Sequence, residues 1–178
     1  MKIHRYAIIC PLWLLSLHCH DAGEVAPPAV TISSDADLVD FFTHQQPYRY
    51  FRLFPDADSV VAGTLNGSHA HQPLVRVSLN DMAFNALSSG GLPPGSVFPD
   101  GSLIVKEIRE GGRTALFAVM YKDRHNPISG QGWLWAEYEP DETVLVSIRS
   151  KGSGCISCHS LERGTQNDLV RTFERQEP

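Results

Sequence analysis

Near its C-terminal end the chain carries two cysteines three positions apart, followed at once by a histidine: Cys155, Cys158 and His159. This CxxCH pattern predicts covalent attachment of a c-type haem, in which the two thiols add to the vinyl groups of the porphyrin. The adjacent imidazole is then close enough to bind the iron as the proximal ligand. A dithiol redox pair is the alternative. A zinc site is disfavoured, because zinc needs four ligands and no second CxxC is present.

The position of the motif bears on the sixth iron position. Small helical electron-transfer cytochromes usually take a second axial ligand, often methionine, from far downstream, but residues 160–178 contain no methionine. Met82 and Met120 lie upstream in apolar stretches and are interpreted as core side chains. An open sixth position is therefore expected, and it favours ligand binding or catalysis over simple electron relay.

Length and charge are typical of one exported domain. A chain of 178 residues with 42% hydrophobic content can bury a core without disulfides, and we expect a single mature domain over 24–178. The formal charge of −5 gives no basic patch for nucleic acid or an anionic membrane. Small molecules and a redox partner protein are the expected partners.

The N-terminus predicts export. Lys2 and Arg5 precede an apolar run over 6–17 that is too short to span a bilayer as a mature helix. We therefore predict a signal peptide over 1–23, a periplasmic location and no transmembrane segment in the mature chain. Cys19 is an alternative site of lipid attachment, although the residues before it are a poor lead-in.

The residue pattern predicts an α+β domain. Ser33, Ser34 and Asp35 suit the cap of a helix over 38–44, and Asn80 or Asp81 suits the cap of a short helix that runs to Leu87. Alternating apolar residues and intervening turn residues predict a mostly antiparallel sheet flanked by helices. The predicted strands are 74–79, 103–108, 114–121, 132–138 and 143–149, followed by a short CxxCH helix and a last helix over 166–173.

Four segments, in this order, resemble the cytochrome P-460 family and its relative, the sheet-built cytochrome c′-beta. They read VRVSLND at 75–81, FPDGSLIVKE at 98–107, GWLW at 132–135 with YEPD at 138–141, and GCISCHS at 154–160. The closing NDLV at 167–170 is also similar to the C-terminal segment of the family. Apart from the haem site each motif is weak, but their order and spacing over nearly the whole mature chain make the combination specific.

The resemblance implies one five-coordinate haem c, with His159 as its proximal ligand and a distal cavity for small nitrogen-containing ligands. Similar enzymes oxidise hydroxylamine and carry a lysine bonded to the porphyrin edge, and the 98–107 motif places that lysine at Lys106. The c′-beta relatives instead bind nitric oxide and carbon monoxide behind an aromatic cap. Dimerisation is common in similar proteins, so a homodimer is expected.

The residues around Lys106 leave two interpretations open. Alternation puts Lys106 on the same strand face as Ile104 and Ile108, where burial would lower the pKa of its amine toward a nucleophilic form. The opposite face, which includes Glu107, is also largely apolar, so the pattern does not decide which face is inward. An edge lysine with its charge in solvent is the alternative.

The sequence offers further candidates for the haem site, each with an ordinary structural alternative. Phe98, together with Phe51 and Phe54, is a candidate to line or cap the cavity, although aromatic residues in such a domain are core by default. Arg149 precedes the haem motif and is a candidate donor to an iron-bound ligand, with a surface strand position as the alternative. His69 and His71 lie in a polar loop, where histidines are more often solvated than bound to a metal. Glu107 and Glu137 are candidate proton acceptors.

Three functions therefore remain open from the sequence. The first is oxidation of hydroxylamine or a related nitrogen species, the second is binding of nitric oxide or carbon monoxide without turnover, and the third is electron transfer with His69 or His71 as sixth ligand. The lack of a downstream methionine disfavours the third. Lys106 favours the first if it bonds to the porphyrin.

Overall fold

The computed structural model describes residues 30–54, 61–62 and 71–172 of the chain. The predicted signal peptide over 1–23 and His69 lie outside these residues. Within the described part, no helix is both long enough and apolar enough to cross a membrane.

The first helix, α1 (Asp35–Asp40), begins where the sequence predicted a cap. The Ser34 hydroxyl accepts from the Asp37 backbone N–H at 3.1 Å, and the Asp37 carboxylate accepts from the Ser34 N–H at 2.9 Å. This reciprocal capping box satisfies N–H groups that have no partner inside the helix. The chain continues as a π-helical turn (Phe41–Gln45), so the helix predicted over 38–44 is confirmed and extends further at its N-terminal end.

An antiparallel sheet forms most of the rest of the domain. Its strands are β1 (Arg52–Phe54), β2 (Val61–Ala62), β3 (Leu74–Leu79), β4 (Leu103–Glu110), β5 (Arg113–Lys122), β6 (Trp133–Tyr138) and β7 (Val144–Val146). Their order in the sheet is β1-β3-β4-β5-β6-β7, and β2 also pairs with β3. Short helices precede and follow the sheet, which agrees with the predicted α+β class; the other α-helices are α2 (Asp81–Asn85) and α3 (Cys155–His159).

The sequence prediction fails at two places near the C-terminus. The strand predicted over 143–149 ends at Val146, because the Asp35 carboxylate accepts from the Ile148 N–H and the Ser147 hydroxyl and draws the chain out of the sheet. The helix predicted over 166–173 does not form over residues 166–171. A 3₁₀ turn (Gly164–Asn167) ends there, since Asp168 and Leu169 both have positive φ.

Both faces of the central strands are buried. One face, here called the helix face, packs against α1 and the π-helical turn, and the other, the C-terminal face, packs against the segment around 155–170. Because side chains alternate along a strand, neighbouring residues enter different cores. The helix face includes Leu103, Val105, Val119, Leu134 and Tyr138, and the C-terminal face includes Ile104, Met120, Trp133 and Trp135.

The two methionines differ in their surroundings. Met120 is 8% exposed, which confirms its prediction as a core side chain, whereas Met82 is 46% exposed and that prediction is wrong. Met82 lies in the first turn of α2, whose buried residue is Ala83. A helix of only five residues has one short inward stripe, and Met82 points away from it.

Asn80 joins α2 to the sheet, and we expect its replacement by alanine to destabilise the domain. Its Oδ1 accepts from the N–H groups of Ala83 and Leu103 at 3.0 Å, and its Nδ2 donates to the Gly101 carbonyl at 2.9 Å. Asn80→Ala removes a helix cap and leaves buried backbone groups unpaired, so the free energy of unfolding should fall by roughly 2 to 4 kcal/mol.

Urea unfolding of the purified protein measures this change. The matched control is Asn85→Ala, an exposed asparagine in the same helix, which should change the free energy of unfolding by no more than about 0.5 kcal/mol. Equal effects of the two substitutions would contradict the role given to Asn80.

Candidate haem site

A cavity of about 200 Å³ lies between the C-terminal face of the sheet and α3. Its walls bring together residues that are far apart in sequence, and most of the remaining lining is apolar. The residues with reactive or ionisable side chains are His71, Lys106, Glu137, Cys155, Cys158, His159 and Arg171. The sequence motif at 155–159 and the candidate lysine on β4 therefore share one cavity.

The spacing of the CxxCH motif explains how α3 presents its three reactive groups. Residues three and four apart lie on the same side of a helix, so Cys155, Cys158 and His159 face the cavity together. Neither thiol is in a disulfide. Burial raises the pKa of the Cys155 thiol, with further contributions from the nearby Glu137 and Cys158. Both sulfurs are thus free for covalent chemistry within the cavity.

The imidazole of His159 is fixed in orientation. Its Nδ1 lies 2.6 Å from the Leu169 carbonyl oxygen. Because a carbonyl can only accept, Nδ1 must carry the proton, which leaves the Nε2 lone pair free for a metal. The Trp135 ring contacts the imidazole edge-on, with centroids 4.9 Å apart. Burial, followed by the positive charge of Lys106, lowers the pKa of His159 to about 3, so the ring is neutral near pH 7.

Lys106 lines the cavity from β4. The pKa of its amine is lowered to about 8, mainly by burial and also by the positive charge of Arg171, against the opposing effect of Cys158. A neutral, nucleophilic amine is therefore accessible at mildly alkaline pH. The structure supports the interpretation of Lys106 as a cavity residue and disfavours a solvated edge lysine, since β4 has neighbours on both sides.

His71 is buried against the same cavity, contrary to the interpretation of a solvated loop residue. Its side chain is 12% exposed, and its Nε2 lies 3.3 Å from Oε1 of Glu137. Its Nδ1 is buried without a hydrogen-bond partner. The His71 and His159 rings have centroids 6.4 Å apart. In the sequence, His69 and His71 stand in a polar stretch, and this pattern does not indicate that His71 lies against a cavity.

The two candidate carboxylates lie on different faces of the sheet. Glu137 lines the cavity. Glu107 points to the helix face, where Arg76 donates to it at 2.6 Å and the Thr114 hydroxyl at 2.8 Å. Of the two, only Glu137 can accept a proton from a ligand in the cavity.

The remaining candidates lie elsewhere. The structure does not bring Phe98 to the cavity, because its ring is buried against Trp133 at a centroid distance of 5.6 Å. Arg149 is exposed and donates to the Ser33 carbonyl at 3.1 Å, away from α3. Phe54 is buried in the core on the C-terminal face, and Phe51 packs against the core on the helix face; neither lines the cavity.

Arg171 is a site residue that sequence reasoning missed. Its side chain is 3% exposed and lines the cavity; it donates to the Cys158 carbonyl at 3.0 Å and pairs with Glu162 at 2.8 Å. The guanidinium thereby ties the end of α3 to the segment that follows it. An arginine in the closing residues of a chain resembles any surface arginine, so the sequence carried no signal for this role.

Comparison with known proteins agrees with this arrangement. A family model described as cytochrome P460 matches residues 57–172, well over half of the 178-residue chain. The chain belongs to the cytochrome P460 family. The match confirms the resemblance seen in the sequence and supports a haem cytochrome. It covers the whole cavity, from His71 to Thr172. A search of curated proteins gave no significant match.

The residues present fit the c-type haem that cytochrome P460 membership implies. Two unpaired thiols, a neutral imidazole with a free Nε2 and apolar walls are the groups that covalent haem attachment requires. Among the described residues, no three His, Cys, Asp or Glu side chains are grouped to hold a metal ion by themselves. One axial imidazole, with the porphyrin supplying the other ligands, is the arrangement that these residues suit.

The lowered pKa of Lys106 predicts an unusual reactivity. In the haem-free chain, acylation of Lys106 should rise with pH around a midpoint of about 8, because burial disfavours the protonated amine. Peptide-resolved mass spectrometry after brief treatment with an amine-selective reagent measures this. Lys106→Arg is the control that removes the signal. A midpoint near the ordinary lysine value of about 10.4 would contradict the burial of the amine.

Proposed function

We propose that this cytochrome P460 family member is an exported mono-haem c-type cytochrome that oxidises hydroxylamine or a related small nitrogen species. The observation that carries the proposal is the presence of Lys106, with its lowered pKa, in the same cavity as Cys155, Cys158 and His159. A lysine bonded to the porphyrin is the feature that distinguishes the hydroxylamine-oxidising relatives from the gas-binding ones in the resemblance described above.

Four residues of the cavity have a defined task in this proposal. The thiols of Cys155 and Cys158 would add to the porphyrin vinyl groups as thioethers, and Nε2 of His159 would bind the iron. The Lys106 amine would form a nitrogen–carbon bond at the porphyrin edge, with loss of one N–H and one porphyrin C–H. An oxidant of the peroxide class would take up the two electrons and two protons that are released and leave as water. The haem, when bound, supplies an iron site that accepts electrons from the substrate.

Oxidation of hydroxylamine also releases protons, and Glu137 is the group placed to take them. Its carboxylate lines the cavity, and its Oε1 lies 3.3 Å from His71. A base within hydrogen-bond reach of the reacting group is what such a step needs. The released electrons pass to a redox partner protein. Export to the periplasm by the N-terminal segment and a homodimeric state belong to the same proposal.

A second candidate function is binding of nitric oxide or carbon monoxide without turnover. The observation that favours it is the apolar lining of the cavity, which includes Ile104, Val119, Met120 and Val146. Small diatomic gases bind well in such surroundings because they need no polar partners. This function and hydroxylamine oxidation share the open iron site and differ in whether Lys106 bonds to the porphyrin.

Electron transfer with His71 as sixth ligand is the third candidate, and the ring geometry makes it testable. Two imidazoles bonded to one metal from opposite sides at about 2 Å each have centroids roughly 6 to 7 Å apart. The His71 and His159 centroids are 6.4 Å apart, and Nδ1 of His71 has no hydrogen-bond partner. Such a protein would be six-coordinate and low-spin, and it would not respond to nitric oxide.

Absorption spectra of the purified protein, oxidised and reduced, with and without nitric oxide, separate the three candidates. We expect a high-spin, strongly red-shifted spectrum that responds to nitric oxide, together with hydroxylamine-dependent reduction of an added electron acceptor. A high-spin spectrum of ordinary c-haem shape without turnover would favour gas binding. A low-spin spectrum insensitive to nitric oxide would overturn the open-site proposal.

Lys106→Ala tests the residue that carries the proposal. The variant should keep its covalently attached haem but lose the red shift and the hydroxylamine oxidation, because the thioether bonds do not depend on the amine. The matched control is Lys151→Ala, an exposed lysine next to the haem motif, which should retain both properties. A red shift that survives in Lys106→Ala would show that Lys106 is not the modified residue.

A further inference from the structure

A buried ion pair lies behind the proximal histidine, outside the cavity itself. Lys122, at the end of β5, is 2% exposed, and its Nζ lies 2.8 Å from Oδ2 and 2.9 Å from Oδ1 of Asp168. The ammonium also lies over the Trp133 ring, 4.7 Å from its centroid. Burying two charges is unfavourable unless further hydrogen bonds compensate. We therefore looked for a role of this buried pair in its contacts with the segment that follows α3.

The pair holds a strained turn in the segment after α3. Asp168 and Leu169 both have positive φ, 52° and 69°, a conformation that is rare for leucine. Several hydrogen bonds fix this turn. Oδ2 of Asp168 accepts from the Phe98 N–H at 2.9 Å, the Asp168 carbonyl accepts from the Trp133 indole at 2.9 Å, and the Leu169 N–H donates to the Gly164 carbonyl at 2.6 Å. Strained backbone of this kind persists only where its surroundings over-determine it.

The turn presents one group to the haem ligand. The Leu169 carbonyl, directly after Asp168, accepts from Nδ1 of His159 at 2.6 Å. The direction of this carbonyl depends on the backbone angles of Asp168 and Leu169, and those angles depend on the side-chain contacts of Asp168. A continuous chain of contacts therefore runs from the Lys122 ammonium to the imidazole.

We propose that Lys122 and Asp168 are positioning residues that aim the Leu169 carbonyl at His159 and thereby set how strongly the axial imidazole donates to the iron. The inference rests on haem ligation by His159 in the proposed function, and it does not depend on the reaction catalysed. A strong hydrogen bond from Nδ1 makes an imidazole a more basic ligand. That favours ferric over ferrous iron and strengthens the bond between iron and Nε2.

Two variants weaken this arrangement without other changes to the cavity. Asp168→Asn removes the charge but keeps a residue type that tolerates positive φ. The double variant Lys122→Met with Asp168→Asn removes both charges and so avoids an unpaired buried ammonium, the main cause of unfolding when one partner of a buried pair is lost. Lys122→Arg keeps the positive charge, so this variant should retain the properties of the original protein.

Glu107→Gln is the matched control. Glu107 is also a buried carboxylate in an ion pair, with the partly exposed Arg76, but on the helix face of the sheet. The substitution Glu107→Gln should lower the stability of the domain about as much as Asp168→Asn does. It should leave the iron–histidine frequency and the redox potential of the haem unchanged. The comparison separates an effect on His159 from a general loss of stability.

The haem-loaded protein is measured by resonance Raman spectroscopy of the ferrous iron–histidine stretch and by redox titration. In Asp168→Asn and in the double variant, the stretching frequency should fall. The ferric/ferrous equilibrium should shift roughly tenfold toward ferrous iron, about 59 mV for a one-electron couple. Glu107→Gln and Lys122→Arg should retain the original frequency and potential.

The outcomes distinguish this inference from the proposed function. If the double variant loses thermal stability but keeps the original frequency and potential, the ion pair only stabilises the fold and the inference is overturned. An equal shift in Glu107→Gln also overturns it. A protein that shows the predicted shifts but does not oxidise hydroxylamine supports the positioning role and overturns the proposed reaction. A protein isolated without haem overturns both.

Discussion

Burial of β4 on both of its faces is the constraint that organises this molecule. Leu103 and Val105 enter the core under α1, while Ile104 faces the core under the C-terminal segment. Strands with solvent on one side place their charged residues there, but the part of β4 from Leu103 to Ile108 has no such side. The charged side chains of Lys106 and Glu107 therefore need specific surroundings, and those surroundings locate the site.

Lys106 and Glu107 meet this constraint in opposite ways. Glu107, on the helix face, is neutralised by Arg76 and by hydrogen bonds from its neighbours. Lys106, on the C-terminal face, instead opens onto the cavity beside His159, and burial lowers the pKa of its amine. Glu107 thus has a structural role and Lys106 a chemical one, because alternation along the strand directs their side chains into different environments.

Local patterns predicted the parts of the structure that local chemistry determines. The capping box at Ser34, the alternation of β3 to β6 and the CxxCH helix could be read from the sequence, because each depends on residues close together in the chain. Long-range contacts decided the rest: Asp35 ends β7 early, Asp168 and Leu169 form a turn where a helix was predicted, and His71 lies against Glu137 at the cavity. At the site, the sequence identified the thiols, His159 and Lys106, and it gave no indication of Arg171 or of the pair behind the histidine.

The central claim is that one haem is bonded both to the CxxCH motif and to Lys106. Peptide mapping by mass spectrometry, on protein produced in cells that attach c-type haem, tests it most directly. The account predicts one species in which the haem joins the peptide containing Cys155 and Cys158 to the peptide containing Lys106. Haem on the cysteine peptide alone, with an unmodified Lys106 peptide, would contradict the claim.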